Sequence, residues 1–198
     1  MGDTFARVGH FRSGYDVEQV EEFLALAKEA YASAGVDTNA EASSDEGEGN
    51  DEVETIDENT VRAIAFEFVR NGYEPELVDA ALDRLEKAFI QRRRAHVVNT
   101  EGEKAWLEAT YEQATTLYER LLRPDEQRFA DAEGRGYLKA DVDSLMTRIA
   151  DYFDGKGELT SADIRRATFA KAKGEAAYAE SVVDVYLDRV ISVLLAVE

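Results

Sequence analysis

One spacing of apolar residues recurs four times along the chain. Each copy begins at a tyrosine and places apolar side chains 5, 9, 12 and 16 positions later. Steps of four, three and four residues bring these side chains onto one face of an α-helix. The pattern therefore predicts four amphipathic helices that pack on one another or on another chain, because a single helix cannot bury its own stripe.

The copies share their starting tyrosine and the make-up of their stripe. They start at Tyr15, Tyr73, Tyr137 and Tyr178. The candidate interaction stripe, at the first, second and fourth offsets, consists of Val20, Leu24 and Tyr31; Val78, Leu82 and Phe89; Val142, Met146 and Phe153; and Val183, Leu187 and Leu194. An acidic residue follows each valine, at Glu21, Asp79, Asp143 and Asp184. Acids in the first turns of a helix complement the positive end of its dipole.

The residues around each tyrosine predict a tight turn before the helix. Glycine directly precedes three of the tyrosines, at Gly14, Gly72 and Gly136. Glycine reaches positive φ angles that strain other residues, so we expect left-handed backbone at these positions. Asp16 and Glu74 follow at the expected N-cap, and Pro75 suits the first position of a helix. The turns of the third and fourth copies lack such capping residues.

Further helices are predicted around the four copies. Short apolar patterns precede the second and fourth turns, at Ile56, Val61 and Phe66 and at Leu159, Ile164 and Phe169, and Phe5 and Phe129 take a similar place before the first and third. Another stripe, formed by Leu107, Tyr111, Ala114, Tyr118 and Leu121, predicts an additional helix over about 102–122. The predicted fold class is all-α, with helical hairpins (short helix, Gly-Tyr turn, longer amphipathic helix) packed as a bundle.

An acidic stretch divides the sequence. Between Val36 and Thr60 there are ten acidic residues and no basic one, a composition typical of an extended linker. We therefore expect an N-terminal hairpin over 1–35, an acidic flexible linker over 36–55 and a helical body over 56–198. The body holds three further repeats, at about 56–95, 125–155 and 158–198. Because 35 residues rarely fold alone, the first hairpin should dock on the body or pair with another chain.

Composition narrows the function classes. The 198 residues carry 42 acids and 23 bases, a net charge of −19, with no cysteine and two histidines. The acidic surplus argues against a nucleic-acid partner and against broad attachment to an anionic membrane. Without cysteine there is no disulfide and no thiolate zinc site. No secretory signal and no membrane-spanning run is evident, so a soluble, cytoplasmic protein is expected.

Four segments combine the turn with the stripe. They are Phe11-Arg12-Ser13-Gly14-Tyr15-Asp16 with Val20-Glu21-Glu22-Phe23-Leu24; Arg70-Asn71-Gly72-Tyr73-Glu74 with Val78-Asp79; Gly136-Tyr137 with Val142-Asp143; and Tyr178 with Val183-Asp184. Together they resemble DivIVA domains, in particular those of actinobacterial proteins with several such domains. The resemblance implies a non-catalytic, coiled-coil-forming scaffold of the cell-division or polar-growth machinery. It implies a place at the septum or pole, division or cell-wall growth proteins or further copies of the chain as partners, and no cofactor.

The resemblance also implies a membrane contact. Scaffold members of the family hold the membrane through an exposed Phe and Arg just before Gly-Tyr, which makes Phe11 and Arg12 the candidates here. One inserted phenylalanine and one arginine contribute about 3 kcal/mol together, which is weaker than millimolar affinity. A peripheral membrane adaptor is therefore an alternative function, and packing of Phe11 against its own helix is the favoured interpretation.

One loop invites a metal-binding interpretation. With Gly157 as the sixth position of a calcium loop, Asp154 is third and Asp163 twelfth, but Tyr152 is first and Lys156 fifth, where ligand oxygens are required. A connection between helices, capped by Thr160 or Ser161, is favoured. A small helical enzyme or carboxylate metal-binding protein is the alternative from another class, with no catalytic and no metal-ligating residue assigned.

The one basic cluster, Arg92-Arg93-Arg94, falls near the predicted end of the second repeat's helix. Cations at that position complement the helix dipole, and this is the favoured role. The alternatives are contact with the acidic linker or with an anionic partner.

Overall fold

The computed structural model describes residues 4–9, 12–33 and 56–198. Of these residues, 64% are helical. The chain divides into two compact units, an N-terminal unit, Met1–Arg93, and a C-terminal unit, Arg94–Glu198. The predicted all-α fold is confirmed only in part, because each unit also holds a small antiparallel sheet. The predicted flexible linker over 36–55 lies outside the described residues.

The N-terminal unit pairs the first copy with the second. Its elements are β1 (Ser13–Tyr15), α1 (Val17–Ser33), α2 (Glu58–Ala63), β2 (Phe68–Arg70) and α3 (Pro75–Thr100), the last of which continues beyond Arg93. β1 and β2 run antiparallel, with Gly14 opposite Val69. The core joins residues of both copies, including Val20, Phe23 and Val78. The first hairpin therefore docks on the second repeat.

The C-terminal unit pairs the third copy with the fourth. Its elements are α4 (Glu103–Leu121), β3 (Arg135–Leu138), α5 (Lys139–Phe153), α6 (Ser161–Arg165), β4 (Lys171–Lys173), β5 (Ala177–Tyr178) and α7 (Glu180–Val197), with a 3₁₀ turn at Gly174–Ala176. β3 is the central strand and pairs antiparallel with both β4 and β5. After α4, the order of elements follows that of the N-terminal unit (strand, helix, short helix, strand, helix), except that a 3₁₀ turn and the extra strand β5 stand between β4 and α7.

The predicted stripes lie in the interiors of the two units. The four valines of the stripes are fully buried, at Val20, Val78, Val142 and Val183. Phe89, Met146, Leu187 and Leu194 are also buried, whereas Leu24, Leu82 and Phe153 are half-buried. Tyr31, the most exposed member, still packs its ring edge-on against Phe89, with ring centroids 5.4 Å apart. Residues proposed as an interaction stripe therefore serve as core.

The short helices are held by side-chain caps. The Asp57 carboxylate accepts hydrogen bonds from the backbone N–H groups of Asn59 and Thr60 at the start of α2. Partial burial opposes ionisation of Asp57, but these hydrogen bonds outweigh it and lower its pKa. Thr160 and Asp163 form a reciprocal capping box at the start of α6. The predicted cap at Thr160 is thus confirmed.

The buried face of α4 differs from the predicted one. Trp106, Thr110, Leu117 and Leu121 are buried, whereas Leu107 and Tyr111 are 53% and 71% exposed. Leu121 belongs to both the predicted stripe and the buried face, whereas the other buried residues lie one position before members of the predicted stripe. The structure buries the face that carries Trp106, whose indole N–H donates to the Ala196 carbonyl at 3.2 Å.

The arginine cluster does not lie at a helix end, so the favoured dipole role is wrong. α3 continues to Thr100, which puts Arg92, Arg93 and Arg94 more than a turn before its last residue. Arg93 Nε lies 2.7 Å from Glu58 Oε1, and the Arg92 guanidinium lies 4.6 Å from the Tyr31 ring centroid. Two of the three arginines therefore stabilise the N-terminal unit through side-chain contacts.

Candidate functional site: the crossed glycine–tyrosine turns

The structure brings the four repeat tyrosines together in two pairs. In the N-terminal unit, the Tyr15 N–H donates to the Tyr73 carbonyl at 2.9 Å and the Tyr73 N–H donates to the Tyr15 carbonyl at 2.8 Å. In the C-terminal unit, Tyr137 stands opposite Tyr178 in the β3–β5 pair. In each unit, the two tyrosine turns therefore cross as antiparallel backbone.

The turn glycines are required for close approach and not for positive φ. Among the described residues, the left-handed positions are Asn71, Gly102, Glu126, Gly155 and Gly174, so the conformational role predicted for Gly14, Gly72 and Gly136 is wrong. A Cβ on Gly14 would overlap the carbonyl oxygen of Tyr73, and one on Gly136 would overlap that of Tyr178. Gly72 lies equally close to the backbone of Tyr15. A glycine before the tyrosine lets the two turns touch through their backbones.

Each repeat tyrosine lies near an acid of the other copy in its unit, and in two of the four cases the hydroxyl donates a hydrogen bond to that acid. Tyr73 donates to Glu21 Oε1 at 2.5 Å and Tyr178 donates to Asp143 Oδ1 at 3.1 Å. In the reciprocal direction, the Asp79 carboxylate contributes to raising the pKa of Tyr15 and the Asp184 carboxylate does the same for Tyr137, so these acids also lie near a tyrosine of the other copy. These are the four acids that follow the stripe valines. They lie six residues after each repeat tyrosine, a constant spacing that marks them as a set in the sequence, and a buried tyrosine needs a partner for its hydroxyl.

The environment of the tyrosines keeps their hydroxyls protonated. Burial, together with the nearby Asp184 carboxylate, raises the pKa of Tyr137 to about 12. Burial also raises the pKa of Tyr178 to about 12, with a further contribution from Asp143. The pKa values of Tyr15 and Tyr73 are raised in the same direction, again chiefly by burial. These groups act as fixed hydrogen-bond donors and not as acids or bases near neutral pH.

Stability should fall steeply at alkaline pH as a result. In the unfolded chain the hydroxyls of Tyr137 and Tyr178 ionise near pH 10, whereas in the folded chain they keep their protons to about pH 12. The stabilisation is complete below pH 10 and is lost as the pH rises through 12. Thermal melting combined with tyrosinate absorbance measures the effect, and Tyr178→Phe should show a smaller loss across this interval. Melting temperatures that do not change between pH 10 and 12 would contradict the assignment.

In each unit, a short segment that precedes the first strand packs over the tyrosine crossing. The Thr4 N–H donates to the Tyr73 hydroxyl and the Arg128 N–H donates to the Tyr178 hydroxyl, both at 3.1 Å. Phe5 and Phe129 pack edge-on against the same two tyrosine rings, with centroids 5.4 and 5.3 Å apart. The equivalent places predicted for Phe5 and Phe129 are confirmed.

The charged groups around the crossing differ between the units. Asp143 is buried; it accepts a hydrogen bond from the Glu126 N–H at 2.7 Å, and its Oδ1 lies 3.8 Å from Arg128 Nε. Its counterpart Glu21 is exposed. Asp143 therefore belongs to a buried polar network in the C-terminal unit, whereas in the N-terminal unit the acid is exposed although Tyr73 itself is buried.

The remaining residues predicted at the first turns have structural partners. Asp16 caps α1, accepting from the Gln19 N–H at 3.0 Å. The Glu74 N–H donates to the Ala6 carbonyl at 2.9 Å, and its carboxylate lies 3.5 Å from the guanidinium of Arg12. Arg12 is 70% exposed, whereas Phe11, the other candidate for membrane contact, lies outside the described residues.

The loop considered for calcium connects α5 to α6. Gly155 takes a positive φ of 71°, and Lys156 Nζ lies 2.8 Å from Asp154 Oδ2. The described ranges hold no group of three or more histidine or carboxylate side chains arranged to bind a metal ion. None of the helices in the described part of the chain is long and apolar enough to cross a bilayer.

The structure consists of two units. Each unit pairs two of the four repeat copies through their crossed tyrosine turns. Comparisons of the chain with family models, with curated proteins and with solved structures return no match. The resemblance to DivIVA domains therefore rests on the repeated residues themselves.

Proposed function

We propose that this protein is a non-catalytic, DivIVA-like interaction protein that acts in bacterial cell division or polar growth. The reciprocal tyrosine–acid pairing supports the proposal, because the residues that carry the resemblance form the same closed arrangement in both units. The hydroxyls of Tyr73 and Tyr178 are engaged in internal hydrogen bonds with Glu21 and Asp143, so these repeated residues hold each unit together. Contacts with partners then fall to the outer faces of the helices.

The location of the protein in growing cells tests this proposal. A fluorescent fusion, expressed at the native level in the native host, should form foci at septa or poles. The variant Gly136→Ala, which disrupts the crossing in the C-terminal unit, should become diffuse, whereas Gly134→Ala should localise like the unmodified chain. A diffuse signal from the unmodified fusion would contradict a role in division.

A further inference from the structure

A basic groove lies between two helices of the C-terminal unit. Residues 116–123, in the last turns of α4 and just after it, and residues 181–189 of α7 enclose a cavity of about 560 Å³. The groove carries three guanidiniums, those of Arg120, Arg123 and Arg189, and one carboxylate, that of Glu119, so its lining has a net positive charge around an apolar patch that includes Val185. The lining follows each helix for about two turns, so the groove extends roughly 10 Å along the helices.

The three arginines of the groove have no acidic partner in the described part of the chain. Arg120 and Arg123 donate to the carbonyl of Arg128 at 3.0 and 3.5 Å, and the Arg120 guanidinium also lies 4.9 Å from the Phe129 ring centroid. No described carboxylate lies within 4.0 Å of the nitrogens of Arg120, Arg123 or Arg189. The neighbouring Arg128, by contrast, pairs with Asp125 at 2.9 Å. The groove thus gathers unpaired positive charge in a chain of net charge −19.

The outer face of α1 complements this groove. Glu18, Glu22 and Glu29 recur along one side of the helix, and Leu26 beside them is 50% exposed. This face lies opposite the buried Val20, and within the described residues its glutamates form no ion pair. The N-terminal unit has 22 acids and nine bases, whereas the C-terminal unit has 20 acids and 14 bases. The chain therefore carries an acidic amphipathic helix and, in its less acidic unit, a basic groove.

We propose that the α4–α7 groove binds α1 of a second copy of this chain. Leu26 of one copy packs on Val185 of the next, and Glu22 and Glu29 approach Arg123 and Arg189. A small anion would leave Val185, which is 62% exposed, without a partner, whereas an amphipathic helix covers the charges and the apolar patch together. The interface joins two different surfaces, so copies associate head to tail. This inference rests on the interaction function proposed above and names the chain itself as a partner.

Charge reversal on either side of the interface tests the inference. Arg123→Glu with Arg189→Glu makes the groove acidic, and Glu22→Lys with Glu29→Lys makes the α1 face basic. Sedimentation of the full chain at low salt should show concentration-dependent association, weakened about tenfold or more in each double variant. Mixing the two double variants should restore association, because each supplies the surface that matches the other. Arg120 is left unchanged because it also packs on Phe129 and Tyr186.

A matched pair of exposed bases controls for net charge. Arg135→Glu with Lys173→Glu makes the same change in charge on β3 and β4, outside the groove, and should leave association intact. Association that survives the groove variant, a mixture that stays dissociated, or an unmodified chain that remains monomeric at low salt would overturn the inference. Stabilisation of such a monomer by pyrophosphate, lost in the groove variant, would assign the groove to a small anion. A monomeric chain that still localises to septa or poles would leave the proposed function in place.

Discussion

Replacing Asp143 by alanine should lower the free energy of unfolding of the C-terminal unit by about 3–5 kcal/mol. The substitution removes the acceptor for the Tyr178 hydroxyl and for the Glu126 N–H, and leaves the buried Arg128 guanidinium with the exposed Asp125 as its remaining carboxylate partner. Breaking a buried charged pair by deleting one partner costs this much because the other charge stays desolvated. Trp106, the only tryptophan, is buried in the C-terminal unit, so a denaturant titration followed by its fluorescence reports on that unit.

The equivalent residue in the N-terminal unit provides the control. Glu21 also accepts from a repeat tyrosine, but it is exposed, so Glu21→Ala should cost about 1 kcal/mol, the value of an ordinary hydrogen bond. Its effect is read from the loss of helical circular dichroism. Equal decreases in the free energy of unfolding for Asp143→Ala and Glu21→Ala would show that the burial of Asp143 does not determine the size of the effect.

Gly136→Ala should destabilise the C-terminal unit by about 3 kcal/mol or more. The new Cβ would overlap the Tyr178 carbonyl oxygen and crowd the Cβ of Ala132, so the strands have to separate at the crossing. Overpacking usually costs about 1–3 kcal/mol, and this case lies at the upper end because the obstacle is backbone that cannot change rotamer. Trp106 fluorescence measures the loss, and faster hydrogen exchange at Tyr137 and Tyr178 would locate it.

A nearby glycine separates this steric effect from the general effect of the substitution. A Cβ on Gly134 meets no atom within 4 Å, so Gly134→Ala should change the free energy of unfolding by no more than about 0.5 kcal/mol. A well-folded Gly136→Ala variant of unchanged stability would mean that the crossing tolerates a wider strand separation.

Helical periodicity carried most of the prediction of the fold. The steps from Tyr137 to Val142, Met146 and Phe153 predict α5 and its inward face, because burial of one side of a helix leaves a direct trace in the sequence. The strands leave no such trace, since three residues such as Ser13–Tyr15 are too short to show alternation. Each strand also pairs with a strand from a different repeat of the same chain, and a pattern within one segment does not reveal such a partner.

The site was predicted only in part, for reasons visible at individual residues. The tyrosines and glycines stand out because they repeat, but a repeated Gly14 has two physical explanations, positive φ and close contact, which the sequence does not separate. Asp143 fits the helix dipole equally well, and only the fold shows it beneath the hydroxyl of Tyr178. Arg93 shows the same limit, because its contact with Glu58 joins two helices that are far apart in the sequence.

The two units close the same arrangement with chain segments of very different length. In the C-terminal unit, seven residues join α5 to α6, whereas 24 residues join α1 to α2 in the N-terminal unit. Loop-closure entropy grows only with the logarithm of length, so the longer connection costs roughly 1 kcal/mol more. The number of residues between Ser33 and Glu58 therefore has little effect on the entropy of closing the unit. Because the connection is covalent, it keeps the two halves at a high effective concentration and makes their pairing independent of how much protein is present.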